Sequence, residues 1–170
     1  MRVLRTVGVA GLVVAVVCLQ LGPFSGLCLG GVVPDLALLV VVAAGIARGP
    51  SYASMLGFVA GFALDVAPPA DHTMGRWALA LTLVGYLAGQ VRDDADHSVI
   101  AAALAVAASS FIGTSLFALS GLLLQDPGVD LASIAQVVPL AVLYDLALMP
   151  FVVPPALALF ARTQPLAVRW

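Results

Sequence analysis

Long apolar runs, separated by short clusters of Gly, Pro, Asp and Arg, divide this chain into six predicted helices. The first covers residues 3–21, about 19 residues and enough to cross a hydrocarbon layer of about 30 Å. Gly22, Pro23, Ser25 and Gly26 end it, and residues 27–33 read as an apolar, glycine-containing loop or re-entrant turn. The second helix, 34–48, opens on Pro34, which suits a first turn, and on Asp35, whose charge complements the positive end of the helix dipole. Gly49 and Pro50 stop it after about 14 residues, too few to span comfortably. A third, also short, covers 51–66 and is closed by Pro68 and Pro69. A polar loop leads to the fourth, 77–91, with Trp77 at the level where indole rings favour the interface. A charged loop, Arg92 to His97, precedes the fifth, 98–124. The last apolar run, 134–161, contains Pro139, Pro150, Pro154 and Pro155, which predict a helix kinked or broken after Met149.

Composition turns this pattern into a membrane protein. Hydrophobic residues make up 62% of the 170 and charged residues only 9%, against about 25% charged in soluble domains. In water such a chain would expose extensive apolar surface; in lipid it would not. The expected fold is therefore a single polytopic domain over residues 1–170, an all-α six-helix transmembrane bundle. Arg2 and Arg5 ahead of an apolar run resemble a signal peptide, but no A-x-A-like cleavage site follows, so a retained first span is expected.

The arginines orient the bundle. Six spans place both termini on one side, together with Arg2, Arg5, Arg48, Arg92, Arg162 and Arg169, and leave only Arg76 opposite. Positive residues accumulate on the cytoplasmic side, so both termini are expected there. Removing any one helix scrambles this asymmetry, which supports the span count as well.

Two Gly-x-x-x-Gly pairs, Gly57/Gly61 and Gly85/Gly89, lie in the third and fourth helices. Small residues at this spacing let helix backbones approach closely in lipid, where packing drives association. They read first as internal packing and second as contact with a partner membrane protein. Gly57, Gly61 and Asp65 share one helix face.

Asp65 is the sharpest candidate. A carboxylate inside the hydrocarbon costs about 3 kcal/mol by insertion scales, so it must face protein or water and have a partner. It also sits at the C-terminal end of its helix, where the dipole disfavours it. With Asp35 and Asp65 both near the outer surface, Arg76 is the only arginine on their side. Pairing of Arg76 with Asp65 or Asp35 is the expected tie; a ligand or ion site at the same ring of charge is the second reading. Asp145 lies deeper, near mid-membrane, with no cationic side chain at its depth, so it is expected to be protonated or hydrogen-bonded. Ser109, Ser110 and Thr114 of the fifth helix are at comparable depth. A proton relay is the lesser reading, since a relay needs a chain of such groups and only one is present.

Catalysis finds no support. His72 and His97 fall in loops on opposite sides of the membrane, and no H-E-x-x-H, Gly-x-Ser-x-Gly or phosphate-cradling loop occurs. No metal or cofactor site is expected, and the absence of a basic patch excludes nucleic acid. Cys18 and Cys28, if on one helix, would stand about 15 Å apart, too far for a disulfide.

Taken together, Pro34-Asp35-Leu36 opening a hydrophobic helix, Arg48-Gly49-Pro50, Gly57-x-x-x-Gly61-x-x-x-Asp65, and Gly85-Tyr86-x-x-Gly89 closing on Arg92 resemble the rod shape-determining protein MreD family. Tyr144-Asp145 departs from the Asn expected in the last helix of that family. The resemblance implies a non-enzymatic component of the bacterial elongation complex in the plasma (inner) membrane. It would bind an MreC-like protein and, indirectly, MreB, RodA and a class B penicillin-binding protein, coupling peptidoglycan synthesis to cell shape. The family is similar in fold to the six-helix substrate-capture subunits of energy-coupling-factor transporters. That similarity supplies the alternative, a small-molecule (vitamin) capture subunit.

Overall fold

A computed structural model describes residues 2–22, 32–68, 73–126 and 129–162. Among them the protein is all helical, with seven helices: α1 (Arg2–Leu21), α2 (Leu36–Arg48), α3 (Pro50–Val66), α4 (Arg76–Gln90), α5 (Arg92–His97), α6 (Val99–Leu123) and α7 (Leu131–Arg162). The apolar loop expected over residues 27–33 lies mostly outside the described residues, as do Cys28, Asp71, His72 and Arg169. Cys18, exposed on α1, carries a free thiol.

Two expectations are corrected. The stretch from Arg92 to His97 is not a loop but the six-residue α5, with Asp93 and Asp94 in its first turn, where the helix dipole favours negative charge. The last helix is not broken: α7 runs for 32 residues through Pro139, Pro150, Pro154 and Pro155. Each proline lacks one N–H and forgoes one backbone bond, but in lipid an interrupted helix would leave many more groups unsatisfied. The helix also begins three residues earlier than predicted. Asp130 starts it: its carboxylate accepts from the Ser133 N–H at 2.7 Å, and the Asp130 N–H donates to the Ser133 hydroxyl.

Helices α6 and α7 are each long and apolar enough to cross a membrane. By contrast α2, with 13 residues, is about 20 Å long and cannot cross alone. Its sequence, LALLVVVAAGIAR, is apolar all round, and such a helix must be buried on every side. Every residue from 36 to 46 is buried, and α2 touches all the other helices. It is the axis of the domain.

The chain turns from α2 into α3 at Gly49, whose φ of 85° and ψ of 177° suit only glycine. Pro50 follows at the first position of α3, and α3 then runs antiparallel to α4. One end of the bundle therefore carries Arg48, Pro50 and α5. The opposite end carries Val66, Arg76 and the α6–α7 connection. At the first end the Arg48 guanidinium lies 4.4 Å from the Tyr52 ring centre, and Tyr52 meets the fully buried Phe160 of α7 edge-on.

Candidate functional site

The two glycine pairs face each other. A Cβ placed on Gly57 would overlap the carbonyl of Leu81, and one on Gly61 that of Trp77. On α4, a Cβ on Gly85 would overlap the carbonyl of Ala53, and one on Gly89 the backbone of Pro50. Gly45 of α2 joins the same seam, since its Cβ would lie 2.9 Å from the Gly89 nitrogen. Real side chains do not tolerate such approaches, so the four glycines let α3 and α4 lie backbone against backbone. Gly8 and Gly11 of α1 differ: nothing lies within 4 Å of where their side chains would be.

Asp65 completes this hairpin. It is fully buried at the end of α3, and its carboxylate accepts three backbone N–H groups from the start of α4: Gly75 at 2.9 Å, Trp77 at 3.1 Å and Ala78 at 3.1 Å. A helix start leaves its first N–H groups without intrahelical partners. Gly75, at φ 97°, occupies the cap position of α4 and has no side chain to supply one. Asp65 supplies it from the preceding helix. Its position at the wrong end of α3 is thereby explained, because it faces the positive end of α4.

The guanidinium of Arg76 goes elsewhere, correcting the expected pairing with Asp65 or Asp35. It forms an ion pair with Asp126, which follows α6. Its Nε donates to the Ser120 hydroxyl at 2.9 Å, and a terminal nitrogen donates to the Phe117 carbonyl at 2.6 Å. The same group lies 4.1 Å from the Phe117 ring centre, and Trp77 stacks on that ring at 4.4 Å. Arg76 is 7% exposed, and each of its three guanidinium nitrogens donates to a fixed protein acceptor. Asp126 was legible as a partner, since six spans put it on the side of Arg76.

The third polar group is deep. Asp35 meets neither Asp65 nor Arg76 but the last helix. The Asp35 N–H donates to Asp145 Oδ1 at 3.0 Å, and the Ser110 hydroxyl donates to Asp145 Oδ2 at 2.6 Å. Asp145 lies about 21 Å along α7 from Leu131, and Ser110 is near the midpoint of α6. Asp35 also caps its own helix, accepting the Leu38 N–H at 2.9 Å, while the Ala37 N–H donates to Gln20 of α1 at 3.0 Å. Four helices thus meet at the buried start of α2. A lone carboxylate at this depth would cost about 2.5–3.5 kcal/mol; the N–H groups of a helix start offset much of that. The sequence placed Asp145 and Ser110 at one depth and missed Asp35, whose signal was the short length of α2.

These arrangements bind helices to one another. No three His, Cys, Asp or Glu side chains gather at metal-ligand spacing among the described residues. An apolar groove of about 500 Å³ is lined by Ser98, Ala102, Met149, Pro150, Val153 and Leu157. No curated protein and no solved structure matches the chain. The model of one family, described as rod shape-determining protein MreD, matches residues 2–161. With a match over nearly its whole length, the chain belongs to the MreD family of membrane proteins, which act in rod shape determination.

Proposed function

We propose that this protein is a non-enzymatic, multi-pass scaffold of the plasma membrane, with both termini cytoplasmic. It holds an MreC-like single-span protein and, through it, links MreB, RodA and a class B penicillin-binding protein to peptidoglycan synthesis. The observation that carries this reading is where the polar and small residues go. Gly57, Gly61, Gly85 and Gly89 close the α3–α4 seam, and Asp35, Asp65, Arg76 and Asp145 tie helix to helix. That gives a rigid body with an apolar exterior, the form a partner helix meets in lipid. A vitamin-capture subunit would need polar groups open to one end of the bundle, whereas Asp35, Asp65 and Asp145 are at most 7% exposed.

Cysteine crosslinking in native membranes tests this. With Cys18 and Cys28 replaced by Ser, single cysteines go on the exposed faces of α1 (Gly11, Ala15), α3 (Phe58, Phe62), α6 (Leu104) and α7 (Phe151). One contiguous face is expected to crosslink to an MreC-like protein, and the buried positions Gly57 and Gly85 are not. Crosslinking from the glycine positions would assign them to the partner interface.

A further inference from the structure

We propose that Asp35 and Asp145 form a buried proton-binding site at the start of α2: the pair holds one proton, carried on Asp35 Oδ2, and Asp145 is the anion. Asp145 accepts two hydrogen bonds, one on each oxygen, from the Asp35 N–H and the Ser110 hydroxyl. Those donors stabilise a carboxylate. Asp35 Oδ1 accepts the Leu38 N–H, and the Gln20 side chain and the Ala37 N–H lie near the carboxyl, but Oδ2, in a residue 7% exposed, has no partner at hydrogen-bond geometry among the described residues. An anionic oxygen without a donor at this depth is the costliest arrangement available; a protonated one is not. The helix start supplies the equivalent of about half a positive charge, enough to favour one anion and not two.

Among the described residues no other group neutralises the pair. The side chains that contact it are Gln20 on α1 and Ser110 on α6. On the remaining helices packed against α2, Asp65 caps α4 and Arg76 is engaged by Asp126. Arg48 lies over Tyr52 at the far end of α2, and Arg92, Asp93 and Asp94 are exposed at that same end. No cationic side chain pairs with Asp35 or Asp145 among the described residues. Loss of the proton would place two negative charges at one helix start and loosen the junction of α1, α2, α6 and α7. Occupancy of the site therefore sets how firmly the axis helix is held.

Infrared spectroscopy of the full chain in nanodiscs, titrated from about pH 6 to about pH 9, tests the assignment. The carbonyl band of a protonated carboxylic acid is expected at neutral pH. It should shift on transfer to D2O, fade as pH rises, and be absent from the Asp35→Asn/Asp145→Asn double variant. In parallel, the wild-type unfolding equilibrium in SDS should move toward the unfolded state as pH rises, by up to about tenfold per pH unit, because the folded state binds a proton that the unfolded state has released. Asp35→Asn should flatten that slope. If wild type shows no such band, or if the slope is unchanged in Asp35→Asn, the proposal fails. Loss of the band on adding Na⁺ at fixed pH would also overturn it, by making the pair a metal-cation site. The wild-type isotope shift requires no variant to fold.

Discussion

The Asp65 carboxylate on α3 accepts the backbone N–H of Ala78 on α4 at 3.1 Å, so the acid that ends one helix caps the start of the next. Removing it strands three N–H groups in a buried, apolar setting. Loss of a cap costs about 0.5–2 kcal/mol, and each buried unsatisfied donor about 1–3 kcal/mol. Asp65→Ala is expected to destabilise by about 3 kcal/mol in SDS unfolding, while Asp65→Asn, which keeps one acceptor oxygen, should lose less than half of that. Equal losses from both would mean that charge, not capping, is what the site provides.

The glycines separate into two classes by their surroundings. Gly61→Val must push α4 away from α3, and overpacking of this kind costs about 1–3 kcal/mol or more. Gly11→Ala meets nothing within 4 Å, and exchanging Gly for Ala inside a helix favours it by about 1 kcal/mol. Thermal unfolding in detergent should thus fall steeply for the first and hold or rise for the second. Similar losses at both positions would show that α1 packs where no neighbour is now seen.

Arg76 and Asp126 stand or fall together. Truncating one member of a buried ion pair costs about 3–5 kcal/mol; Asp126 is partly exposed, which lowers the figure for its loss. Arg76→Ala is therefore expected to destabilise more than Asp126→Asn. Arg76→Lys should recover little, because an ammonium cannot reach Asp126, Ser120 and the Phe117 carbonyl at once. A double-mutant cycle on Arg76 and Asp126 is expected to show strong coupling; additive effects would remove the pair from the account of this end of the bundle.

Asp130 lies outside the spans, and hydrogen bonds from Ser133, its hydroxyl first and its N–H second, hold the Asp130 carboxyl below its ordinary 3.8. A depressed acid contributes stability above its unfolded value and loses it as pH falls through the folded one, so the effect on α7 is confined to acid conditions. Ser133→Ala should bring the NMR titration midpoint of Asp130 back toward 3.8. An unchanged midpoint would show that the start of α7 does not depend on this cap.

Periodicity and composition were enough to locate six of the seven helices among the described residues, because long apolar runs and Gly–Pro stops are local signals. The need of Asp65 for a partner was legible too. Its partner was not, because a buried carboxylate predicts a cation, whereas the backbone N–H groups at the start of α4 serve as well. Asp35 was misplaced for a related reason. The pattern predicts that a hydrophobic helix begins at the membrane surface, yet a short helix whose residues 36–46 are all buried begins beside Asp145. The prolines of α7 misled in the same direction, since a rule learned in water overstates how readily a helix ends in lipid.

Copurification from native membranes tests the scaffold role most directly. The tagged 170-residue chain is expected to bring down an MreC-like single-span protein, and Gly61→Val, which spreads α3 from α4, should reduce its recovery. Recovery instead of a bound vitamin or a coupling transmembrane subunit, with no single-span partner, would contradict it.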